Sequence, residues 1–442
     1  MAGDSIFRAY DVRGVYPSEV NEDLAFRIGA AAARYLKGQK IVVGHDDRQG
    51  SESMASRVIA GLTSTGCGAI NIGRATTPLF NFSVSASAAD GGIMVTASHN
   101  PAQYNGFKII GRQGLPIGAD SGLDEIEKLL NAAAPLAGQP GAIEVKDFCA
   151  DYVNFLLEVS GAAGEDLGRM RIVVDASNGM TPVVLKDLFK KINVNVVELF
   201  FDIDGRFPNH QPDVSRPENI QQLQAKVMAS GAHMGFAFDG DGDRLAVVDE
   251  TGRIVWPDMT LGLLYNALGH PKTVYDIRVS RSVKALLGSQ GIPSRVGHTF
   301  IKETMRDYDA GLGGELSGHF YFKSMQYAES AVLAMLYLLV LAHRSPVPFS
   351  ELARPLLSNA RSGELSLPLN NRAHAKIVFD RLKQKYADGK ISEADGVSIE
   401  YPDWWFNLRA SNTEPVFRLF IEAANNQILK EKQSELLKLI ED

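Results

Sequence analysis

Three aspartates occupy alternate positions in the segment DGDGDR, where single glycines separate Asp239, Asp241 and Asp243. Glycine lets the backbone curl, so the three carboxylates can converge on one point. Carboxylate oxygens are the ligands that Mg²⁺ prefers, and three unpaired acids this close would repel one another. The spacing therefore predicts a magnesium site with one ion per chain. An acidic turn is one alternative. A calcium loop is another, but apolar LAVVD precedes Glu250 at the position of its last ligand and predicts a strand.

A serine follows another short apolar run. The stretch VTASHNP comes directly after GGIM and brings Ser98, His99 and Asn100 to the end of a predicted strand. Phosphoryl transfer depends mainly on positioning and charge neutralisation, so a serine beside a Mg²⁺ site could carry a phosphoryl group. A serine that caps a helix is the alternative, and the stretch alone leaves both open.

Two further loops combine polar side chains. GELSGH alternates Glu315, Ser317 and His319, and an extended backbone would direct all three to one face. Such a face suits sugar hydroxyls and proton transfer, although a polar loop without a ligand has the same composition. RASNTEP, residues 409–415, follows the strand-like WWFNL. One guanidinium and small polar donors in a tight loop are typical of an anion cradle, and a β-turn with a surface arginine is the alternative.

The elements that must position these groups repeat along the chain. IVVGHDDR, IVVDASNG and TVYDIRVS are each a short apolar run that ends in polar residues and precedes a helix-like stretch. This pattern indicates a βα unit of a parallel sheet, in which ligand groups lie at the carboxyl ends of the strands. The recurrence predicts three similar α/β domains rather than one large one.

Four domains are expected in total. A Pro/Gly/Ala-rich segment separates the first, residues 1–145, from the second, residues 146–252, and the third covers residues 253–357. The fourth, residues 358–442, has strand-like runs such as VSIEY and VFRLFIEAA together with helix-like stretches. This mixture predicts a small α+β domain.

Composition limits the class of protein. Of the 442 residues, 45% are hydrophobic and 22% are charged, which is typical of soluble globular proteins. The net charge of −7 argues against non-specific nucleic-acid binding, but not against binding of a small phosphorylated ligand in a local basic pocket. Cys67 and Cys149 lack pairing or metal-like spacing and the first residues lack an apolar signal segment, so we expect a cytoplasmic location. The apolar run 331–342 is too short to span a membrane and predicts a buried helix.

In combination, TASHNP, DGDGDR, GELSGH and RASNTEP occur in the order and spacing of the α-D-phosphohexomutase superfamily. The chain resembles the phosphomannomutase/phosphoglucomutase branch over its whole length, including the start FRAYDVRG. The resemblance implies three α/β domains with mixed sheets and a fourth α+β domain similar to the TATA-binding protein, all around a central cleft. It implies small sugar phosphates as partners, no nucleic acid or membrane, and a monomer or homodimer.

The resemblance also implies roles for particular residues. The serine that matches Ser98 carries a phosphate in the resting enzyme, and Lys108 and His319 are the candidates for general acid and base. The implied metal ligands are Ser98, Asp239, Asp241 and Asp243. The implied catalytic residues are Ser98, Lys108, His319, Arg244 and His99. The implied substrate-binding residues are Tyr10, Arg13, Asn100, Arg278, His298, Glu315, Ser317, Arg409, Ser411, Asn412 and Thr413.

The implied reaction interconverts hexose 1-phosphate and hexose 6-phosphate of mannose or glucose. Phospho-Ser98 would give its phosphoryl group to the sugar, and the other phosphate of a 1,6-bisphosphate would return to the serine. Glucose 1,6-bisphosphate is therefore expected as a priming activator. Arg278 departs from relatives, which commonly have lysine there, and its role stays open.

Other activities are compatible with the same motifs. Phosphoglucosamine mutase is the alternative within the family, although Leu316 stands where that branch tends to have glutamine. A Mg²⁺ phosphatase and a non-catalytic sugar-phosphate sensor are alternatives from other classes. The full set of proposed catalytic residues argues against the sensor.

Overall fold

A computed structural model describes residues 6–130, 139–357, 359–369, 371–411 and 416–441. Within these residues the chain forms four β-sheets that follow one another in sequence. Each sheet is built from one continuous part of the chain together with the helices of that part.

The first sheet is mixed and has the strand order β1-β5-β4-β2-β3-β6. Its strands are β1 (Val12–Val15), β2 (Lys40–His45), β3 (Gly68–Arg74), β4 (Gly91–Val95), β5 (Tyr104–Gly111) and β6 (Ile143–Val145). The helices of this part are α1 (Glu22–Leu36), α2 (Ser51–Ser64), α3 (Thr77–Ala86) and α4 (Leu123–Leu130). β2 and β4 pair in parallel, so their carboxyl ends meet at one edge of the sheet. The segment predicted as a connector contributes β6, which pairs in parallel with β3.

The second sheet is also mixed, with the order β11-β10-β9-β7-β8. Its strands are β7 (Arg171–Asp175), β8 (Asn195–Leu199), β9 (Met234–Phe238), β10 (Leu245–Asp249) and β11 (Ile254–Val255). The helices here are α5 (Cys149–Ser160), α6 (Pro182–Lys191) and α7 (Pro217–Ser230). β9 and β10 pair antiparallel and flank DGDGDR, so this loop is a tight connection between two wholly buried strands.

The third sheet has the order β13-β12-β14-β15-β16. Its strands are β12 (Thr273–Asp276), β13 (Gly291–Ser294), β14 (Leu312–Gly314), β15 (Phe320–Phe322) and β16 (Ala328–Glu329). The helices are α8 (Pro257–Ala267), α9 (Arg281–Leu287), α10 (His298–Asp307), α11 (Ala331–Arg344) and α12 (Phe349–Ala353). GELSGH connects β14 to β15, so its polar residues come at the end of a strand, as the repeat pattern predicted.

The fourth sheet is antiparallel throughout, with the order β17-β21-β20-β19-β18. Its strands are β17 (Ala360–Pro368), β18 (Lys390–Ser392), β19 (Val397–Glu400), β20 (Trp404–Ala410) and β21 (Val416–Ala423). The helices are α13 (Arg372–Lys385) and α14 (Asn426–Glu441). Three mixed α/β sheets followed by an antiparallel α+β unit confirm the predicted fold class.

One hydrophobic core runs through the first three parts of the chain and fixes their sheets relative to one another. It includes Phe80 from α3, Tyr152 from α5, Phe236 from β9 and Leu333 from α11, all buried. Burial of large aromatic and aliphatic side chains across these junctions holds the strand ends at defined positions. The fourth sheet has its own core, which is built on residues such as Phe406.

The apolar run 331–342 forms most of α11 and is buried, as predicted. In the described parts of the chain no single helix has the length and apolar character needed to cross a membrane. α11 and the helical segment Phe349–Leu356 pass that test together by length and composition, with a bend of 107° between them.

Candidate active site

Ser98 lies in a turn after β4 and is buried. Its φ of 52° is in the left-handed region, where the Cβ atom makes the backbone strained. Its Oγ is 3.3 Å from Oδ2 of Asp239 and 3.2 Å from Nδ1 of His99. Because the described chain passes from this turn into β5 rather than into a helix, the helix-capping alternative is wrong.

The Ser98 turn is held by Arg48, which the sequence analysis missed. The buried guanidinium donates to the main-chain oxygens of Ser98 at 2.6 Å, Asn100 at 2.7 Å and Pro101 at 2.9 Å. Asp46 lies 3.1 Å from its Nε and accepts from Thr96 at 2.7 Å. The parallel pairing of β2 and β4 brings GHDDR beside TASHNP, and this pairing is not specified by the residue types.

The three aspartates of DGDGDR converge as their spacing predicted. One oxygen from each of Asp239, Asp241 and Asp243 lies within 4.8 Å of the others, and all three residues are buried. Burial, together with the charges of Asp243 and Asp241, raises the pKa of the Asp239 carboxyl well above its ordinary value. Three buried acids in such proximity need a positive charge beside them.

Lys108 on β5 supplies such a charge. Its Nζ is 2.6 Å from Oδ2 of Asp241 and 2.7 Å from Oδ2 of Asp243. Burial acts against the charged amine, but the two carboxylates outweigh burial and raise the pKa of Lys108 above its ordinary value. Thr77, at the start of α3 and also missed by the sequence analysis, donates its hydroxyl to Asp241. Lys108 is therefore a protonated amine in contact with two of the three acids.

His319 joins the aspartates to the GELSGH loop. Its Nδ1 is 2.6 Å from Oε1 of Glu315 and 2.9 Å from Oγ of Ser317, and its Nε2 is 3.1 Å from Oδ1 of Asp243. Burial disfavours the imidazolium, but the nearby acids, Asp243 foremost, raise the pKa of His319 to about 9. The hydroxyl of Tyr321 donates to Glu315 at 2.7 Å.

The geometry of GELSGH corrects one expectation. The segment is a turn between β14 and β15 rather than an extended stretch, and Gly318 has a φ of 90°. Glu315, Ser317 and His319 therefore meet because the chain folds back, not because alternate residues share a face. The three side chains are close together, as predicted, but the predicted cause, alternation along an extended backbone, is wrong.

Arg244 lies between the aspartates and His319. Its Nε is 3.2 Å from Nε2 of His319 and 3.9 Å from Oδ2 of Asp239. Burial acts to lower the pKa of Arg244, but Asp239 and Asp243 raise it, so the guanidinium stays charged. This charge lies beside the carboxylate that Ser98 contacts.

Residues near the start of the chain contact the same region. Arg13 donates to Oδ1 of Asn100 at 2.7 Å and to the main-chain oxygen of Ala97 at 3.3 Å. Tyr10 packs edge-on against His298, with ring centres 4.8 Å apart. Burial, followed by the positive charge of Lys302, lowers the pKa of His298 to about 4.

A second group of charges lies between the third and fourth sheets. Nη2 of Arg278 is 2.9 Å from Oδ2 of Asp276. Nη1 of Arg278 pairs with Glu364 of β17. Arg409 lies within β20 rather than in the loop after it, and Nη2 of Arg409 is 3.8 Å from Glu364. The main-chain nitrogen of Ser411 donates to Val416 at 2.8 Å. Asn412 and Thr413, which the sequence analysis assigned to the anion cradle, lie outside the described residues.

Asp276 connects this second group of charges to the GELSGH turn. Its Oδ2 accepts from the main-chain nitrogen of Leu316 at 2.9 Å and also pairs with Arg278. Contacts thus lead from Ser98 through the aspartates and the GELSGH turn to the arginines of the fourth sheet.

Family models match the chain in four consecutive segments. They are described as phosphoglucomutase/phosphomannomutase alpha/beta/alpha domains I, II and III and C-terminal domain, and they match residues 4–136, 150–252, 256–359 and 360–439. The chain belongs to the phosphoglucomutase/phosphomannomutase family.

Relatives of this family resemble the chain over its full length. A phosphomannomutase from Methanocaldococcus jannaschii is 34% identical, with 100% of this chain and 98% of that protein aligned. A protein named phosphohexose mutases from Xanthomonas campestris is 36% identical, with 97% of each chain aligned. The crystal structure of a phosphoglucomutase/phosphomannomutase family protein from Burkholderia thailandensis has a TM-score of 0.88 at 34% identity and covers 100% of this chain and 98% of its own. The protein is thus a phosphohexomutase, an isomerase.

Proposed function

We propose that the protein interconverts hexose 1-phosphate and hexose 6-phosphate, of mannose or glucose, through a phosphoserine at Ser98 and a 1,6-bisphosphate. The observation that carries the proposal is the position of Ser98 Oγ, 3.3 Å from Asp239 in a buried and strained turn. Strain of this kind persists only where surrounding contacts impose it, and Arg48 supplies those contacts. A hydroxyl fixed beside a cluster of acids is suited to accept and return a phosphoryl group.

The aspartates fit a divalent metal ion. Oδ1 of Asp241 is buried and has no hydrogen-bond partner among the described residues. The amine of Lys108 lies against two of the three carboxylates, which supports the view that positive charge is favoured at this site. We propose Mg²⁺, held by Asp239, Asp241, Asp243 and an oxygen on Ser98, because carboxylate oxygens are its usual ligands. When bound, it would neutralise negative charge on the phosphoryl oxygens.

His319 and Lys108 are the proposed proton-transfer groups. In the first transfer the sugar oxygen bonds to phosphorus as the bond from phosphorus to Ser98 Oγ breaks. The proton of the sugar hydroxyl passes to His319, which accepts it as the neutral imidazole, and Lys108, which is already protonated, gives a proton to Oγ as it leaves. In the return transfer Oγ gives its proton back to Lys108 and bonds to the other phosphorus as the bond from that phosphorus to the sugar oxygen breaks, and the sugar oxygen takes the proton from His319. His319 lies between two carboxylates that stabilise its charged form, so it can hold the proton between the two transfers. His99 contacts the reacting oxygen of Ser98, and Arg244 lies beside the Asp239 carboxylate that this oxygen contacts.

Residues on both sides of this centre are proposed to bind the substrate. The sugar hydroxyls are assigned to Glu315 and Ser317, and the non-reacting phosphate to the fourth sheet and its loop. The remaining proposed substrate contacts are Tyr10, Arg13, Asn100, Arg278, His298, Arg409, Ser411, Asn412 and Thr413.

Other parts of the proposal concern the chain as a whole. We propose domain limits at residues 1–145, 146–252, 253–357 and 358–442, and a monomer or homodimer. Cys67 and Cys149 are free and buried, which supports a cytoplasmic location because thiols stay reduced there.

The decisive experiment removes the proposed phosphoryl carrier. Ser98→Ala should fold but lose nearly all mutase activity, and its intact mass should lack the phosphate that we expect on the wild-type protein. Ser56→Ala, on the exposed face of α2, is the matched control and should keep both. Retention of more than about a tenth of the wild-type activity by Ser98→Ala would refute covalent catalysis at this residue.

A second measurement tests the bisphosphate intermediate. Dephosphorylated wild-type protein should be nearly inactive until a trace of glucose 1,6-bisphosphate is added, because the serine must first be phosphorylated. Immediate full activity without the bisphosphate would exclude this cycle. Release of inorganic phosphate instead of an isomerised sugar would indicate a phosphatase.

A further inference from the structure

The segment IVVDASNG ends in polar residues to which the proposed function gives no role. They follow β7 in the second sheet and form a buried turn, residues 175–179, which we call the β7 turn. Ser177 has a φ of 51° and Asn178 a φ of 54°, so two successive residues with a Cβ atom lie in the left-handed region. Backbone strain of this kind is concentrated at functional sites, which indicates that the β7 turn does more than connect β7 to α6.

Side chains within and around the β7 turn impose this conformation. Oδ1 of Asp175 accepts from the main-chain nitrogen of Ser177 at 2.8 Å. The side-chain amide of Asn178 donates to the main-chain oxygen of Asp202 at 2.8 Å and accepts from Asn209 at 2.8 Å. These contacts fix the direction in which the hydroxyl of Ser177 points.

The β7 turn packs against the loop DGDGDR. Oγ of Ser177 donates at 2.6 Å to the main-chain oxygen of Phe238, the last residue of β9. Just after the turn, the main-chain nitrogen of Met180 donates to the main-chain oxygen of Gly240 at 2.9 Å. A Cβ atom on Gly179 would lie 2.6 Å from that same oxygen, which is too close, so only glycine permits this approach. The β7 turn therefore holds the start of the loop at two main-chain oxygens.

Another side of the same loop contacts the first part of the chain. A Cβ atom on Gly240 would lie 2.5 Å from the main-chain oxygen of Ser98, so the loop and the Ser98 turn are in direct contact. The main-chain nitrogen of Thr77 donates to the main-chain oxygen of Asp241 at 2.9 Å. The backbone of DGDGDR is thus held by both adjoining parts of the chain, and the positions of its three carboxylates depend on these contacts.

Such contacts have a physical reason. Three converging carboxylates repel one another when no metal ion neutralises them, and the glycines between them would let the backbone move them apart. A loop that must be ordered when its ligand binds loses affinity, whereas a loop already held in place does not. Residues that orient metal ligands from behind typically change metal affinity about 10- to 100-fold. The hydroxyl of Ser177 is placed to have such an effect.

We propose that Ser177 is a positioning residue for the metal ion, whose hydroxyl holds the start of DGDGDR so that the three aspartates stay converged. The inference rests on the metal site of the proposed function. It gives the end of β7 a part in the site through support of the metal loop rather than through a group that contacts the ligand.

The test measures Mg²⁺ binding directly. Ser177→Ala removes the hydroxyl but keeps the strained backbone, and Ser177→Gly removes the hydroxyl and relieves the strain. The dissociation constant of Mg²⁺, measured by calorimetry on proteins in the same phosphorylation state, should rise about tenfold in both variants. Mutase activity should return to near the wild-type value at saturating Mg²⁺ because the metal ligands are intact. Ser230→Ala removes a hydroxyl that donates to the main-chain oxygen of Lys226 in α7 and should leave the dissociation constant unchanged.

The two variants distinguish positioning from a purely structural role. Ser177→Gly should be more stable to urea than Ser177→Ala, and an equal loss of Mg²⁺ affinity in both would identify the hydroxyl as the cause. If Ser177→Ala does not fold, Ser177→Gly alone decides. An unchanged dissociation constant in Ser177→Gly would refute the positioning role and leave the metal site intact. If the wild-type protein binds no Mg²⁺, the metal site of the proposed function fails, and the role of Ser177 fails with it.

Discussion

Arg48 donates from Nη2 to the main-chain oxygen of Ser98 at 2.6 Å, from the end of a neighbouring strand. Phe207 from the second part of the chain packs over the same guanidinium, with its ring centre 4.8 Å from Cζ. The turn that carries the proposed nucleophile is therefore held by a side chain that has contacts with both the first and the second part of the chain. A buried arginine that satisfies several carbonyl oxygens is suited to this task because its donors have a rigid, planar arrangement.

Arg48→Lys should show whether Arg48 acts through its positive charge or by holding the Ser98 turn in position. Lysine keeps the positive charge beside Asp46 but cannot bridge the carbonyl oxygens of the turn. We expect kcat to fall about 10- to 100-fold because a small displacement of a reacting group has effects of this size. KM should change much less. Arg57→Lys makes the same substitution at an exposed arginine of α2 and should leave kcat unchanged. An unchanged kcat in Arg48→Lys would contradict the positioning role.

The acid cluster predicts dependence on a divalent metal. Asp241→Asn removes one charge with little change in shape, and activity should fall roughly a hundredfold or more because charge neutralisation drives phosphoryl transfer. EDTA should inactivate the wild-type protein, and Mg²⁺ should restore it. Asp187→Asn alters a partly exposed acid of α6 that pairs with Lys190 and should leave activity unchanged. Full activity of metal-free wild-type protein would show that the cluster has another purpose.

The lowered pKa of His298 predicts that the protein loses stability in acid. Burial and the charge of Lys302, only partly offset by Glu329, lower the pKa of His298 to about 4, below its ordinary value of about 6.5. In the unfolded chain His298 therefore binds a proton below about pH 6.5, whereas in the folded chain it binds one only below about pH 4. The free energy of unfolding should fall as the pH decreases through this window, by at most about 2 kcal/mol between pH 6.5 and pH 5 from this group.

Urea unfolding at pH 7 and pH 5 measures this effect. His298→Gln should lose less stability than the wild-type protein between the two pH values, because the residue that resists protonation is gone. His270→Gln, at an exposed position after α8, is the control for loss of an imidazole. Equal pH dependence in His298→Gln and the wild-type protein would show that His298 is protonated as readily in the folded chain as in the unfolded one.

Local spacing predicted the acid cluster but not the residues that support it. Asp239 and Asp241 are close in sequence and lie in a short connection between two paired strands. This connection keeps their carboxylates close together. Arg48 and Glu364 make their contacts over long sequence distances. Arg48 does so through the pairing of β2 with β4, and Glu364 reaches Arg278 from β17, whose pairing with β21 shifts register just before it. Residue types alone do not specify strand order or register, so these contacts could not be read from the sequence. The meeting of Glu315 with His319 was predicted from alternation, but a turn produces it.

The GELSGH turn carries a prediction about substrate choice. The main-chain nitrogen of Leu316 is bonded to Asp276, and the side chain of Leu316 is apolar. Glu315 and Ser317 on either side are bonded to His319, and we assign them to hydroxyls that glucose and mannose share. The two sugars differ only in the direction of the C2 hydroxyl, and an apolar neighbour discriminates weakly between such groups.

Glucose 1-phosphate and mannose 1-phosphate should therefore both be substrates, with kcat/KM values within about a hundredfold, or ~3 kcal/mol. Glucosamine 1-phosphate carries an ammonium at C2, and Leu316 offers neither a carboxylate nor an amide to receive it, so it should be the poorest of the three. Leu316→Gln, which supplies an amide at this position, should narrow the gap for glucosamine 1-phosphate. Measurement of the three kcat/KM values under one set of conditions decides the matter. If glucosamine 1-phosphate is the best substrate of the wild-type protein, the protein is a phosphoglucosamine mutase and Leu316 does not set the specificity.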